Sequence, residues 1–102
     1  ETFTNPLTEI KNEIVKEFKL DKPYPNPFNP QINFEFALSF SQYISFQIFN
    51  LKGELVENLI QKKLDTGSHK LSWNAKDESS GIYFVKIISE SFSQTEKIFY
   101  IK

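Results

Sequence analysis

From residue 30 onward, apolar and polar side chains alternate along the chain. The apolar positions of three such runs are Ile32, Phe34, Phe36 and Leu38, then Ile44, Phe46 and Ile48, then His69, Leu71 and Trp73. A period of two residues places alternate side chains on opposite faces of an extended strand. These runs therefore predict strands with one face in a core and a wetter opposite face.

Further strands are predicted at residues 18–20, 55–60, 82–88 and 95–102. Residues 82–88 are apolar on both faces except for Lys86, as expected of a central strand. Gly53 and Gly81 follow polar turn residues, which predicts backbone conformations that glycine adopts at low cost. About seven short strands separated by turns predict an all-β, immunoglobulin-like antiparallel β-sandwich. Its predicted core includes Phe34, Phe36, Phe46, Ile48, Trp73, Tyr83 and Val85.

The segment Tyr24-Pro25-Asn26-Pro27-Phe28-Asn29-Pro30 interrupts the alternation, and we call residues 24–30 the proline clip. Proline donates no backbone hydrogen bond and forces the preceding residue into an extended conformation. The clip is therefore predicted to be an extended connector that follows the surface. Because aromatic rings favour burial, we expect Tyr24 and Phe28 to pin it onto the body of the domain. A plain proline-rich turn between two strands is the alternative.

Residues 1–17 are predicted to be a linker or an N-terminal extension from a longer parent protein, and residues 18–102 the folded domain. Ile10, Ile14 and Phe18 recur at helical spacing behind Thr8, so a helix of about two or three turns is the alternative for this linker. The chain contains no methionine, which favours a piece of a longer polypeptide.

Composition excludes several classes of function. The 102-residue chain has no cysteine, so it has neither a disulfide framework nor a thiolate metal site. Its formal net charge of −1 provides no basic face, and we expect no nucleic-acid partner. No apolar run approaches the ~20 residues of a membrane span, so we expect no membrane insertion.

Catalytic and metal chemistry is sparse. His69 is the single histidine and is interpreted as structural, since one imidazole alone does not build a transition-metal site or a Ser-His-Asp arrangement. Asp65, Asp77 and Glu78 are weak calcium candidates, and paired carboxylates also occur in glycosidases. Acidic neighbours in a polar loop are usually solvated, however. We therefore predict a non-enzymatic domain without a cofactor.

Four segments together resemble one family. They are the proline clip, then Ile48-Phe49-Asn50-Leu51-Lys52-Gly53-Glu54-Leu55-Val56, then Trp73-Asn74-Ala75-Lys76-Asp77 with Ser80-Gly81-Ile82-Tyr83-Phe84, and finally Lys97-Ile98-Phe99-Tyr100-Ile101-Lys102. Their order and spacing over residues 18–102 resemble the type A C-terminal sorting domain of the type IX secretion system. That family is an immunoglobulin-like sandwich related in sequence to the flagellar hook-capping domain. Asn50 and Asn74 stand where the family commonly has Asp, and this chain has Lys where the family often has Arg.

The resemblance implies a non-catalytic signal, fused to a passenger protein, that directs it through the periplasm and outer membrane to the cell surface or medium. The implied partners are the outer-membrane type IX translocon and a sortase-like peptidase, and we expect a monomer. The residues expected to serve translocon recognition are Pro25, Pro27, Phe28, Gly81, Tyr83, Lys97 and Lys102. The predicted last strand, residues 95–102, is expected to be read by strand addition, with Lys97 and Lys102 keeping that edge soluble.

Two other interpretations remain open on the sequence. An immunoglobulin-like accessory module of a secreted multidomain enzyme, carbohydrate-binding or a spacer, would require an exposed aromatic row or groove. The aromatic residues follow the strand alternation, which instead predicts that they lie in the core. An assembly scaffold like the hook-capping protein would require partner domains and oligomerisation.

Overall fold

A computed structural model of the chain describes residues 18–90 and 93–102. The predictions for residues 1–17 fall outside these ranges. The strands are β1 (Phe18–Leu20), β2 (Gln31–Leu38), β3 (Gln42–Asn50), β4 (Leu55–Leu64), β5 (Gly67–Asn74), β6 (Gly81–Ile88) and β7 (Ser93–Tyr100). The described ranges include no helix that is long and apolar enough to cross a membrane.

The strands form two antiparallel sheets. The three-stranded sheet has the order β1-β2-β5 and the four-stranded sheet the order β4-β3-β6-β7. The predicted all-β sandwich is confirmed, and β6 is internal, as its apolar faces predicted. The edges of the four-stranded sheet are β4 and β7.

The predicted bounds of β4 and β7 were wrong. β4 continues to Leu64 rather than ending at residue 60, and β7 begins at Ser93 and ends at Tyr100. The register between β3 and β4 shifts twice, between Phe46 and Gln47 and between Ile48 and Phe49. Both shifts lie within residues 55–60, whereas residues 61–64 pair regularly with β3. The end of β4 was missed because Gln61, Lys62 and Lys63 are polar and exposed, so no apolar alternation marks them.

The predicted core is confirmed, because all seven of the residues named for it are buried. Phe34, Phe46, Ile48 and Val85 are fully enclosed between the sheets. The sheets meet through ring contacts, since the Phe36 and Phe46 centroids lie 5.0 Å apart.

The proline clip crosses from one sheet to the other. Tyr24 continues the edge beside β2, where its N–H donates to Asn33 O at 3.1 Å and its carbonyl accepts from Asn33 N at 2.8 Å. Four residues later, Phe28 forms a parallel bridge with Tyr100 of β7. The clip therefore connects the two sheets, but it bends at residues 25–27 and 29–30 and is not extended throughout as predicted. The peptide bonds that precede Pro25, Pro27 and Pro30 are cis.

The prediction that aromatic rings lie in the core was wrong for four of them. Tyr24, Phe40, Tyr43 and Phe99 are each more than a third exposed. Tyr24 pairs through its backbone, which leaves its ring outside, where the hydroxyl donates to the Glu35 carboxylate. Tyr43 and Phe99 alternate with the buried residues of β3 and β7 and so lie on the outer face of the sheet. Alternation shows which residues share a face, but not which of the two faces is buried.

Candidate recognition surface

The strands run between two ends of the sandwich, which we call the clip end and the far end. The clip end contains the proline clip, the turn at 51–54, the loop at 75–80 and residues 101–102. The far end contains the turns at 39–41 and 65–66. Gly81, at the start of β6, pairs with Tyr100, at the end of β7, so both positions lie at the clip end. The fold thus brings the sequence-distant candidate residues to one end of the molecule.

Phe28 anchors the clip, as predicted. Its side chain is only 2% exposed and lies between two other rings. Its centroid is 5.1 Å from that of Tyr100 and 5.8 Å from that of Trp73. Rings at these separations add to the free energy gained from burial alone. The buried Phe28 ring therefore holds the clip against the core.

Backbone groups join the same segment to β7. Phe28 N–H donates to Phe99 O at 2.9 Å, and Phe28 O accepts from Ile101 N–H at 3.0 Å. The Asn26 side chain adds two more bonds, because its Oδ1 accepts from Phe99 N–H at 2.9 Å and its Nδ2 donates to Lys97 O at 3.3 Å. We call these bonds between residues 26–28 and β7 the seam. The outer edge of β7 is thus already paired at Phe99 and Ile101. This finding restricts the strand addition predicted for residues 95–102.

Gly81 and Tyr83 lie in β6, which pairs with β7 on the side opposite the clip. Gly81 has a φ of 153° and Gly53 a φ of 85°, so the predicted glycine conformations are confirmed. The Tyr83 ring meets Trp73 edge-on at 5.4 Å, and its hydroxyl donates to Ser79 O at 2.6 Å. Burial raises the pKa of Tyr83 above its ordinary value of 10.0, as does the charge of Glu78. Tyr83 therefore serves as a buried support that ties β6 to the loop at 75–80.

The exposed members of the candidate set are Pro25, Pro27, Gly81, Lys97 and Lys102. Lys97 Nζ lies 5.7 Å from the centroid of the Phe99 ring, within the range of a cation–π contact. The Lys102 N–H donates to Ser80 Oγ at 2.8 Å, which ties the residue after Ile101 to the loop at 75–80. Direct contact with a partner is open to these exposed residues, whereas Phe28 and Tyr83 are buried.

A cleft of about 340 Å³ lies beside Gly81, between the turn at 51–54 and the loop at 75–80. Asn50 shapes one wall, because its Oδ1 accepts from Lys52 N–H at 2.9 Å and Glu54 N–H at 3.0 Å. Its Nδ2 donates to Glu54 Oε1 at 2.7 Å. An Asp would keep the two accepted bonds and lose the donated one, so Asn in place of the family's Asp suits this turn.

The calcium candidates are not brought together. Asp65 lies in the turn at the far end, while Asp77 and Glu78 lie in the loop at the clip end. Within residues 18–90 and 93–102, no group of three or more His, Cys, Asp or Glu side chains could hold a metal ion. His69 Nε2 donates to Asp65 O at 2.7 Å, and its ring stacks on Phe36 at 5.3 Å, which is a structural role.

Sequence reasoning missed Asn26, Ser80 and Tyr100 as parts of this surface. Asn26 stands between two prolines in a motif that was singled out, but the motif does not name its partner strand. Tyr100 shares the alternation of Ile98, which could have marked it as buried.

Comparison with known proteins gives the family. The model of the family described as "Secretion system C-terminal sorting domain" matches residues 22–102. No curated protein matches the chain. The crystal structure of dimeric latent PorU from Porphyromonas gingivalis contains a similar fold, with a TM-score of 0.62 and 14% sequence identity. The match covers 85% of this chain and 10% of the PorU chain, and at that identity it establishes the fold alone.

The geometry and the family match agree. The clip, the glycine-led strand β6 and the end of β7 are the segments that carried the resemblance, and they meet at one end of an antiparallel sandwich. The chain therefore belongs to the type IX secretion C-terminal sorting domain family, whose members act as C-terminal signals for export to the cell surface or the medium.

Proposed function

We propose that this domain exerts its sorting role without chemistry of its own, by presenting the clip end as one surface to the outer-membrane translocon. Residues 18–102 are the unit that folds and is read, as a monomer, and a passenger protein is fused to it through residues 1–17. A sortase-like peptidase acts on the fused protein after export. The observation that carries the proposal is the seam between the clip and β7.

The seam supports this role because it makes one surface from distant segments. Asn26 reaches Phe99 across 73 positions of sequence, so the surface exists only when the whole domain has folded. A translocon that binds this surface therefore binds the domain only after it has folded. Pro25, Pro27, Lys97 and Lys102 supply the exposed contacts, and Phe28, Gly81 and Tyr83 fix their positions.

The arrangement of other groups favours this function over an accessory module. The exposed rings do not form one row, because Phe40 and Tyr43 lie at the far end and Phe99 at the clip end. The three acidic candidates are divided between the two ends as well. Such placement supports neither a row of exposed rings for sugar stacking nor a site built from all three carboxylates.

A fusion of residues 18–102 to a soluble reporter, expressed in a host with the type IX system, tests the proposal. The intact fusion is compared with Lys97→Glu and with a version lacking Ile101 and Lys102, each checked for folding by thermal melting. Lys63→Glu is the matched control, since Lys63 is an exposed strand lysine at the far end. We expect the intact and control fusions at the cell surface or in the medium, and the two folded clip-end variants in the periplasm.

Two results would count against the proposal. Export of both folded clip-end variants at the level of the control would show that the clip end is not the surface that is read. An intact fusion that stays in the periplasm, while the same reporter binds an insoluble polysaccharide, would establish the accessory-module function instead.

A further inference from the structure

The outer edge of β7 is divided into two halves. In an antiparallel ladder, successive residues direct their backbone groups alternately toward the neighbouring strand and away from it. Phe99 and Ile101 direct theirs to the clip, so Thr95 and Ser93 also face away from β6. Lys97 follows the same alternation, and its carbonyl accepts from Asn26. The N–H and C=O of Thr95 and the N–H of Lys97 therefore face outward beyond the reach of the clip.

The clip ends the ladder on its own side. The Asn26 carboxamide stands where a peptide group of a neighbouring strand would stand, accepting from Phe99 N–H and donating to Lys97 O. Pro25 and Pro27 flank it and have no N–H to offer on the outer side. A sheet edge covered in this way does not accept a further strand. The edge along residues 98–101 is sealed.

The other edge of the same sheet is less suited to pairing. β4 carries two register shifts along its length, and bulges of this kind blunt an edge. β7 keeps a continuous register with β6 from Ser93 to Tyr100. A regular, unsealed edge thus remains at residues 93–97.

The charges of the side chains near residues 93–97 indicate what kind of strand would pair with this edge. The outward side chains of β6 and β7 near this edge include Lys86, which lies opposite Thr95, and Lys97. The outward positions of both strands carry no acidic residue; they are Ile82, Phe84, Lys86 and Ile88 in β6, and Ser93, Thr95, Lys97 and Phe99 in β7. A second copy of the chain would add more lysines to the same face. An extended segment of a different protein with acidic side chains on that face complements it.

We propose that the proline clip is a cap that seals one half of the β7 edge and leaves residues 93–97 as the docking site for one extended, acidic strand of a partner protein. The inference rests on the proposed function, since the partner strand belongs to the export machinery, and it extends the surface that is read from the clip end along β7 toward the far end. The clip also sets the register, because pairing must stop where Asn26 covers Lys97.

Thr95→Pro is the sharpest test. It removes the outward N–H of Thr95 and leaves the bonds between β6 and β7 in place, a substitution that edge strands tolerate. Thr95→Val is the matched control, because it keeps the N–H and the branched side chain. Ser93→Pro serves as a second variant if Thr95→Pro fails to fold, since proline is accepted at the first residue of a strand. Export of the reporter fusion is the readout, after each variant is shown to melt cooperatively.

We expect the intact domain and Thr95→Val to be exported, and a folded proline variant to lose export by about tenfold or more. Export of a folded proline variant at the intact level would overturn the docking site. Retention of the intact domain would instead contradict the proposed function, so the two failures are distinguishable. A concentration-dependent dimer in sedimentation, abolished by the proline variant, would overturn the partner assignment in favour of a second copy.

Amide hydrogen exchange of the isolated domain tests the cap itself. We expect the Phe99 amide to be protected and the Thr95 amide to exchange rapidly. Asn26→Ala should accelerate exchange at Phe99 by about tenfold, the equivalent of one hydrogen bond, and leave Thr95 unchanged. Protection of Thr95 in the intact monomer would show that its N–H does not face outward and would overturn the division of the edge.

Discussion

The two ends of the sandwich are held together in different ways. At the far end, turns bond to the ends of nearby strands: Ser41 Oγ donates to Leu64 O at 3.1 Å, and Thr66 Oγ1 donates to Leu38 O at 3.0 Å. These partners are 23 and 28 positions apart. At the clip end, Asn26 bonds to β7 across 71 and 73 positions.

The difference concerns which bonds each end needs in order to form, and the clip end is the surface proposed for recognition. The far end is closed by bonds from the turns that precede β3 and β5 to the ends of β4 and β2, and these bonds do not involve the clip. The clip end needs residues 24–30 to meet the last described strand, β7, so it depends on the strands between them. Changes at the clip end should therefore weaken the contact between the clip and β7, whereas changes at the far end should leave that contact in place.

Trp73→Ala should cause the largest effect. Trp73 is 5% exposed and contacts both Phe28 and Tyr83, so truncation should reduce the free energy of unfolding by ~3–5 kcal/mol. Stabilities of small domains are about 5–15 kcal/mol, so this loss threatens folding. Denaturant titration measures it. A melting temperature within a degree or two of the parent would contradict the placement of Trp73 in the core.

Phe28→Ala should cost less than Phe36→Ala, although both rings are buried. Phe36 lies between the sheets and should lose the ~3–5 kcal/mol typical of a truncated core phenylalanine. Phe28 belongs to the clip rather than to a strand, and we expect the clip of Phe28→Ala to detach while the sheets stay paired, which limits the loss to the free energy that holds the clip. Exchange at the Phe99 amide should accelerate in Phe28→Ala. Equal losses in both variants would remove the distinction between the two ends.

Gly53→Val should cost roughly 1–3 kcal/mol, because a φ of 85° is strained for a β-branched residue although the space around it is open. Ser72→Val is the control at an exposed strand position, with an expected change within about 0.5 kcal/mol. Thermal melts of the pair measure the difference. If Gly53→Val matched its control, the turn would not depend on a positive φ.

Tyr83→Phe should have the smallest effect, about 0.5–1.5 kcal/mol for the hydroxyl that donates to Ser79 O. The pKa of Tyr83 is raised in the folded state, so its neutral form is favoured there. The associated stability is fully present below the unfolded value of 10.0 and is lost as the pH rises through the folded pKa. Denaturation at pH 8 to 11 should show a shallower alkaline loss for Tyr83→Phe. A slope identical to the parent would contradict a buried phenol.

Much of the fold was predictable from local patterns. Alternation located the strands and all seven named core residues, and glycine after polar turn residues indicated the positive φ of Gly53 and Gly81. The predicted end of β4 was wrong, since the exposed polar residues 61–63 show no apolar alternation. The predicted recognition residues meet at the clip end. Lys97 lies farther along β7 and is joined to the clip by the bond from Asn26 to its carbonyl. Their contacts with the translocon stay a prediction.

What the sequence by itself determined was the class of fold, the buried face of most strands, and the ordered motifs of a sorting domain. Only the tertiary structure decided that Tyr24 stays outside while Phe28 is buried, and that the clip pairs with β7. It also decided that Asp65 lies at the opposite end from Asp77 and Glu78. The physical reason is range: side-chain period and turn chemistry act over a few residues, whereas a hydrogen bond across 73 positions depends on how both sheets pack.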